Sequence, residues 1–325
     1  FATVVIKATF CLPDARVAAP VAAEQRALLT QDVPYDPDKL DGLLKFESDL
    51  APFKPRADIV LVGSAYPSRG KRAAALDVVI RVGRTEQVIR VVGDRRWSLG
   101  SDSSQPGMVG PLEFEAMPLR YERAFGGWDE PELVHSPLNP FGRGLIAQKT
   151  VRSVHGKELP NLENPAEMIG GWDARPLPTG CGFYPRAGLP RRKYLGTYDE
   201  VWRKARCPLP PADFRFDFYN GAHPNLQVEG YLRGNEEVLL RHVRRGSEPL
   251  RFFLPCLRPK VHVERTAGQR AEPLFAPLDT LVFVPDEGVF YQVWRARIPC
   301  REPDASDLRR VTIEYERMAP EQRAD

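Results

Sequence analysis

Several classes of protein are excluded by what the sequence lacks. It contains no run of about 18 apolar residues, so no transmembrane helix is predicted. Its first residues show no charged segment followed by an apolar stretch, so no signal peptide is predicted either. The 46 basic residues nearly balance the 43 acidic ones, and a net charge of +3 does not favour binding to nucleic acid or to an anionic membrane. We therefore expect neither of these partners.

Cysteine and the usual signatures of metal and cofactor sites are scarce as well. The cysteines are odd in number and widely spread, unlike the framework of a small disulfide-rich domain, which favours a reducing cytoplasm. They lie at Cys11, Cys181, Cys207, Cys256 and Cys300. No C-x-x-C pair, His-Glu-x-x-His helix, phosphate-binding loop, dinucleotide glycine fingerprint or Gly-x-Ser-x-Gly elbow occurs. Cys181 and Cys207 are interpreted as small buried apolar residues. The sequence thus predicts no metal site, no cofactor and no catalytic residue.

Proline and glycine, in contrast, are abundant. With 32 prolines and 25 glycines, long helices are not expected, because proline removes backbone donors and interrupts helices and central strands. Runs with period-two alternation or continuous β-branched content predict strands in the outer thirds of the chain. These runs are residues 4–10, 59–63, 76–82, 88–92, 280–284, 289–294 and 311–316. Connectors at 83–87 and 285–288 predict hairpins. In the last run, Val311, Ile313 and Tyr315 alternate with polar residues, which predicts one apolar and one solvated face.

The middle of the chain has a different pattern. From about 98 to 224 the apolar runs are short, and Gly, Pro, Asn and aromatic residues dominate, which is typical of a loop-rich region. Two short helices are predicted within it. One is capped by Asn164 and ends at Gly170, and the other begins from the capping-box spacing of Thr197 and Glu200.

These patterns predict a mainly β fold, with a sandwich-like core, a few short helices and a long loop-rich central region. We expect a single domain over residues 1–325. The same patterns also allow this domain to be divided into a β subdomain at 1–97, a loop-rich excursion at 98–225 and a second β subdomain at 226–325.

The residues that look most like a catalytic cluster lie at 120–123, directly before a Gly-Gly turn. Glu122 could serve as a general base, and the arginines beside it could clamp an anion. This gives one hypothesis, a hydrolase-like enzyme centred on Arg120, Glu122 and Asp94, with Asn139. The preferred interpretation is that these charges form ion pairs that organise an irregular loop, because no nucleophile or metal ligand lies nearby in sequence.

Two further patterns suggest binding sites. A basic segment at 186–206 could bind phosphate or an acidic protein, although a solvated surface is the preferred interpretation for a chain whose charges balance. Tryptophan supplies the other pattern. Trp97, Trp128, Trp172 and Trp202 could form the stacking surfaces of a carbohydrate- or nucleic-acid-binding module.

An ordered series of longer motifs carries a family resemblance. The series comprises residues 5–10, 48–58, 93–97, 117–127, 139–144, 159–163, 196–199 and 231–236. It spans most of the chain and resembles the domain of unknown function 2169 family. The resemblance implies an accessory protein encoded in bacterial type VI secretion clusters, which acts as an adaptor or chaperone for an effector. The family provides no catalytic residues to carry over to this chain.

The leading hypothesis is therefore an adaptor rather than an enzyme. It is expected in the bacterial cytoplasm, in transient association with the secretion apparatus, with a secreted effector and a spike component as its partners. A rigid β core with exposed loops suits such a role, and aromatic and arginine side chains suit a protein interface. We expect the interface in the 120–144 loops. The residues chosen for it are Arg120, Tyr121, Glu122, Arg123, Trp128, Asn139, Phe141 and Arg143.

Overall fold

A computed structural model of the protein describes residues 1–39, 42–68, 71–99, 106–129, 133–147, 154–246, 249–266, 272–302 and 304–320. Strands dominate this part of the chain, so the prediction of a mainly β fold is confirmed. The strands are β1 (Ala2–Cys11), β2 (Val33–Pro34), β3 (Leu44–Phe46), β4 (Ala57–Leu61), β5 (Ser64–Ala65), β6 (Ala75–Val82), β7 (Thr85–Val92), β8 (Arg96–Leu99), β9 (Pro106–Val109), β10 (Met117–Pro118), β11 (Phe125–Gly126), β12 (Trp128–Asp129), β13 (Val134–His135), β14 (Arg143–Gly144), β15 (Leu162–Glu163), β16 (Gln227–Val228), β17 (Glu237–Arg241), β18 (Leu250–Phe253), β19 (Leu257–Arg265), β20 (Leu274–Phe275), β21 (Leu278–Val284), β22 (Val289–Ile298) and β23 (Leu308–Arg317).

Helices are few and short. The α-helices are α1 (Leu189–Arg192) and α2 (Glu200–Ala205), and 3₁₀-helices span Tyr121–Arg123, Phe216–Tyr219, Pro224–Leu226 and Pro285–Glu287. None of the helices in the described ranges has the length and the hydrophobicity that a bilayer crossing requires.

The first of two large sheets has the order β1-β22-β21-β4-β16. Its neighbours are antiparallel, except for β4 and β21, which run parallel. Every residue of β4 and β21 is buried, which explains why both sequences are largely continuous apolar runs rather than alternating ones. The predicted hairpin between β21 and β22 is confirmed. Its connector ends at Gly288, whose φ of +69° suits glycine.

The second large sheet, ordered β15-β7-β6-β17-β18, is antiparallel throughout. Its β6–β7 pair is the other predicted hairpin, which is also confirmed. The ring of Phe252 on β18 contacts Phe283 of β21 and Phe290 of β22, with ring centroids 6.4 and 5.6 Å apart. These contacts join the two sheets in one hydrophobic core, which is the arrangement of a sandwich.

A third sheet has the order β20-β19-β23, with β23 at its edge. The strand predicted at 311–316 is therefore confirmed, but the expectation that only one of its faces is solvated is wrong. Val311, Ile313 and Tyr315 are 37%, 42% and 46% exposed, although the β19 residues opposite them are buried. The apolar face of β19 thus continues onto β23 without a covering layer.

The helices of the central region differ from those predicted. The carboxamide oxygen of Asn164 caps only a single turn, and no helix follows it. Helix α2 forms, but its N-cap is Asp199, which accepts a hydrogen bond from the helix backbone. Thr197, the predicted cap, instead bonds to a carboxylate across the loop. The sequence analysis predicts no helix at α1. The side chain of Arg191 in this helix is buried and attaches the helix to the protein interior.

A buried carboxylate on β4 attaches the central region to the first sheet. Asp58 is fully buried, and one of its oxygens lies 2.7 Å from the ammonium of Lys54. The carboxylate also accepts hydrogen bonds from the side chain of Asn220 at 3.1 Å, from Gly221 N at 2.9 Å and from Ala222 N at 3.2 Å. A buried charge is tolerated only when it is paired and hydrogen-bonded, and Asp58 meets both conditions. The end of the central region is therefore fixed to the middle of the core.

The same cation extends this buried network to β21 and β22. Lys54 also donates to the hydroxyl of Thr280 at 2.9 Å, and that hydroxyl donates to Asp279 at 2.8 Å. Asp279 is paired with the buried Arg295. Burial raises the pKa of the Asp279 carboxyl, and Arg295 and Lys54 oppose that shift. Asp58, Asp279 and Arg295 lie on three neighbouring strands, and Lys54 lies just before β4. Their two positive and two negative charges neutralise one another inside the protein.

Substitution of Asp58 by alanine is expected to lower the free energy of unfolding by about 3–5 kcal/mol, because it leaves a lysine charge buried without its partner. The matched control is Asp77→Ala. Asp77 is likewise a strand aspartate in an ion pair, here with Arg90, but its side chain is 37% exposed, so about 1 kcal/mol or less is expected. Urea unfolding followed by circular dichroism measures both. Equal losses for the two variants would contradict the role assigned to Asp58.

Candidate functional site

The residues chosen from the sequence lie on one interlocked set of loops. The 3₁₀-helix Tyr121–Arg123 leads into β11, which pairs in parallel with β14. Directly after β11, Gly127 has a φ of +91°, and a Cβ atom there would lie 2.1 Å from the carbonyl oxygen of Gly142. Only glycine fits both this backbone conformation and this contact. The Gly-Gly turn and the 139–144 motif are thus in direct contact.

The buried side chain of Asn139 holds these loops together by hydrogen bonds. It is fully buried, and its carboxamide nitrogen donates to the carbonyl oxygens of Tyr121 at 2.8 Å and of Phe125 at 3.1 Å. Its backbone N–H donates to the hydroxyl of Ser136 at 3.3 Å. The two carboxamide bonds supply side-chain donors to buried carbonyl groups of an irregular backbone segment, where Tyr121 O also accepts a hydrogen bond from Ala124 N.

The structure brings Arg123 and Asp94 together. Arg123 donates to the Asp94 carboxylate at 2.9 Å and to the side-chain oxygen of Asn161 at 3.1 Å. Asn161 in turn donates to Asp94 at 2.9 Å. The three side chains form a closed polar triangle that connects the 3₁₀-helix to the segments after β7 and before β15.

Arg143 forms the second arginine link. Its Nε donates to the carbonyl oxygen of Glu122 at 3.0 Å, and its Nη1 lies 2.8 Å from the carboxylate of Glu158. Burial and the neighbouring Arg123 lower the pKa of Arg143, whereas Glu158 opposes the shift. In the contacts that the structure gives, these arginines bind groups of the protein itself. The ion pairs expected between Glu122 and its neighbouring arginines are not among the contacts of the described residues.

A cleft of about 340 Å³ opens beside these pairs. Asp94, Arg96 and Glu158 line it, and neither Arg120 nor Glu122 does. Of the three residues of the hydrolase hypothesis, only Asp94 lines this cleft.

The other predicted residues divide between the interior and the surface. The guanidinium of Arg120 is exposed and stacks on the ring of Tyr35, 4.0 Å from its centroid. Tyr121 is buried, and its ring lies 4.7 Å from that of Tyr184. Phe141 is half-buried against the main core. Buried Tyr121 and Asn139 can support an interface but cannot contact a partner directly.

The most exposed apolar surface of these loops is a hairpin formed by β12 and β13. We call it the 128–135 hairpin; residues 130–132 lie outside the described part of the chain. Trp128 is 59% exposed, Leu133 76% and Val134 44%. The ring of Trp128 lies 6.2 Å from that of His135, its cross-strand neighbour. Sequence reasoning selected Trp128 but missed Leu133 and Val134, because two-residue strands leave no periodic pattern.

One side chain of this hairpin is buried although its neighbours are exposed. Asp129 is 1% exposed, and its carboxylate accepts hydrogen bonds from Ala147 N at 2.7 Å and from the Lys157 ammonium at 3.1 Å. On the neighbouring strand, Ser136 N donates to Gly127 O. The hairpin is thus anchored at its base to the interlocked loops described above.

The four tryptophans of the sugar- or nucleic-acid-binding hypothesis do not act together. Trp97 is buried in a small separate core, against which Trp172 packs. The indole N–H of Trp202 donates to the backbone carbonyl of Leu209 at 2.8 Å. Among the four, only Trp128 is largely exposed. The stacking surface expected from Trp97 is therefore absent from the described structure.

Most basic residues of the segment at 186–206 are exposed, as the preferred interpretation expects, but Arg186 and Arg191 are not. Arg191 is 3% exposed and pairs with the buried carboxylate of Glu47. Arg186 pairs with Glu47 and with Asp32. Burial alone would raise the pKa of the Glu47 carboxyl. The charges of Arg191 and Arg186 outweigh that effect, so the pKa is lowered. Two arginines of the segment thus hold the central region against β3.

The cysteines are free thiols, and they differ in access. Cys181 is buried, as expected, and burial raises its pKa to about 12. Cys207 is exposed, so its interpretation as a buried apolar residue is wrong. Within the described residues, no group of three or more His, Cys, Asp or Glu is placed to hold a metal ion.

Asn139→Ala is expected to destabilise the fold by about 1–3 kcal/mol for each buried carbonyl that loses its donor. Asn164→Ala is the control, because its carboxamide caps an exposed turn, and its loss is expected to be no more than about 1 kcal/mol. Thermal and urea unfolding of both variants give the comparison. A loss for Asn139→Ala no larger than that of the control would show that the loops do not depend on this residue.

Thiol labelling at pH 8 is expected to modify Cys207 rapidly and to leave Cys181 unmodified, because a buried thiol with a raised pKa supplies almost no thiolate. Peptide mass spectrometry identifies the modified positions, and Cys207→Ser should remove the fast phase. Rapid modification of Cys181 in the folded protein would contradict its burial and would reopen the question of a nucleophile.

Comparison with known proteins now tests the resemblance that the motif series suggested. Residues 1–295 match a family described as "Uncharacterized protein conserved in bacteria (DUF2169)". No functionally curated protein and no solved structure gives a significant match. The matched residues cover most of the chain and contain every residue of the candidate site. The chain belongs to the DUF2169 family.

Proposed function

We propose that the protein is an adaptor that binds another protein through the 128–135 hairpin. The observation that carries this proposal is the combination of exposed apolar side chains on both strands of the hairpin and a buried carboxylate between them. Trp128, Leu133 and Val134 face solvent, whereas Asp129 is held inside by hydrogen bonds. Apolar side chains clustered at a surface favour a protein partner, and tryptophan is the side chain most enriched among residues that dominate binding energy.

The rigidity of the base supports the same role. Binding costs free energy when loops and side chains must become ordered, and a preformed hairpin lowers that cost. Asn139 and Gly127 fix the loops beneath the hairpin before any partner arrives. The exposed Arg120 adds a charged group on the same set of loops.

We further propose that the partner is a secreted effector of a type VI secretion system and that the adaptor helps load it onto the spike of the apparatus. The family resemblance of the motif series supports this step. The free thiols support a reducing compartment, the bacterial cytoplasm, as the place of loading. Contacts with the spike would then be transient.

The experiment is a capture assay with the tagged protein and the effector encoded beside it, followed by calorimetry of the purified pair. Trp128→Ala and Leu133→Ser are expected to weaken binding at least about 30-fold, because truncation of a central interface residue costs about 2 kcal/mol or more. Leu177→Ser is the matched control. Leu177 is 63% exposed but lies outside the hairpin, so binding should be unchanged.

Unfolding midpoints close to that of the wild type would show that the hairpin variants remain folded. Retention of full affinity by both hairpin variants would exclude the hairpin as the binding surface. Failure of the wild-type protein to bind either the effector or a spike component would refute the adaptor proposal itself.

A further inference from the structure

Strand β23 is an unpaired edge with an uncovered apolar face. Its only partner among the described strands is β19, so the other side of its backbone is open. Val311, Ile313 and Tyr315 lie on the face whose β19 counterparts are buried, yet all three are exposed. An open edge is a template for pairing with another strand, and proteins usually protect such edges. On β23, pairing with a second strand would also remove part of the exposed apolar face from water.

The charges of β23 specify what kind of strand fits. Arg310 lies at one end of the regularly paired segment, and Glu314 and Glu316 lie towards the other end. A strand of the same sequence in antiparallel orientation places its acidic end beside the basic end of the first. Opposite charges that face each other across strands are stabilising, and like charges are destabilising. Within 310–316 the edge is therefore complementary to itself, whereas the flanking Arg309 and Arg317 are like charges at the two ends of the strand.

We propose that two copies of this protein associate through β23, in an antiparallel pair with Ile313 of one copy opposite Ile313 of the other. In this register Arg310 faces Glu316 of the second copy, and Val311 faces its Tyr315. The two contacts occur twice, because the pairing has a twofold axis. The two three-stranded sheets then join into one continuous sheet.

The charges on the neighbouring strands favour the same register. Within each copy, Arg258 on β19 lies opposite Glu316, and Glu264 lies opposite Arg310. In the dimer, four charged side chains lie side by side in one row across the joined sheet. They are Arg258 and Glu316 of one copy, followed by Arg310 and Glu264 of the other. Positive and negative side chains alternate along the whole row. On the other face, apolar residues of β23 meet apolar residues of its copy, with buried β19 side chains on both sides.

The apolar face selects this register over the adjacent one. Moving the twofold axis from residue 313 to residue 312 places Tyr315 of one copy opposite Arg309 of the other. Arg309 lies at the point where the pairing of β19 and β23 is irregular. With Ile313 at the centre, all of 310–316 lies in the regular part of the strand. This surface is independent of the proposed adaptor function. It lies far along the chain from the 128–135 hairpin and beyond residue 295, where the family match ends.

Sedimentation of the whole protein over a wide concentration range is the first test. We expect a reversible equilibrium between the 36.6 kDa monomer and its dimer. Ile313→Lys should weaken self-association at least about tenfold, because it places two charges side by side at the twofold axis. Val201→Lys is the matched control, since Val201 is an exposed apolar residue on α2 and its substitution should leave the dimer intact.

A charge-reversal experiment tests the register and does not depend on a single variant. Arg310→Glu alone and Glu316→Arg alone should each weaken the dimer, because like charges then face each other twice. An equimolar mixture of the two variants should form a heterodimer, because each reversed charge then meets its opposite. Recovery of association in the mixture also shows that both variants are folded.

A protein that stays monomeric up to its solubility limit would overturn the proposal. So would a dimer that Ile313→Lys does not weaken, or a pair of charge-reversed variants that do not associate when mixed. Unchanged effector binding by a monomeric Ile313→Lys variant would leave the adaptor proposal standing. Loss of effector binding with an intact dimer would count against the adaptor proposal alone.

Discussion

The buried ion pair between Asp58 and Lys54 is the interaction on which the rest of the structure depends. It lies on a central strand of the first sheet and receives hydrogen bonds from the end of the loop-rich region. An irregular region of this length has little regular hydrogen bonding of its own, so it needs fixed points on the core. Asp58 provides one such point, and the Arg191–Glu47 pair provides another. In both cases a buried charge is satisfied only when the central region is in place.

The loops beneath the 128–135 hairpin depend on a second constraint of the same kind. Gly127 allows two backbone segments to approach within a distance that no side chain permits, and Asn139 bonds the carbonyl groups exposed by that approach. The arginines chosen as interface residues belong largely to this framework, since Arg123 and Arg143 pair with carboxylates of neighbouring loops. The surface that remains for a partner is the exposed side chains of Trp128, Leu133 and Val134, together with Arg120. The motifs at 117–127 and 139–144 therefore position the hairpin.

The sequence predicted the strands of the core well, because burial leaves a strong pattern there. The continuous run at β4 and the Pro- and Gly-containing connector before β22 are local signals, and both are confirmed. Local signals failed where distant residues decide the outcome. Thr197 looks like a helix cap, but Asp213 binds it and leaves Asp199 to cap α2. The basic segment looked solvated, but Glu47 lies about 140 residues earlier in the chain and draws Arg191 into the interior. Of the residues chosen for the interface, Trp128 is exposed, whereas Tyr121 and Asn139 are buried.

The central claim, that the hairpin is the surface by which the protein holds its partner, is tested most directly by hydrogen–deuterium exchange. The protein is compared alone and in the presence of the effector encoded beside it. We predict slower exchange in the peptides that contain Trp128 and Leu133, with no change in the peptides of β23 or of the cleft lined by Asp94 and Glu158. Protection of the cleft with unchanged exchange in the hairpin would contradict the claim and would direct attention to a ligand of the cleft.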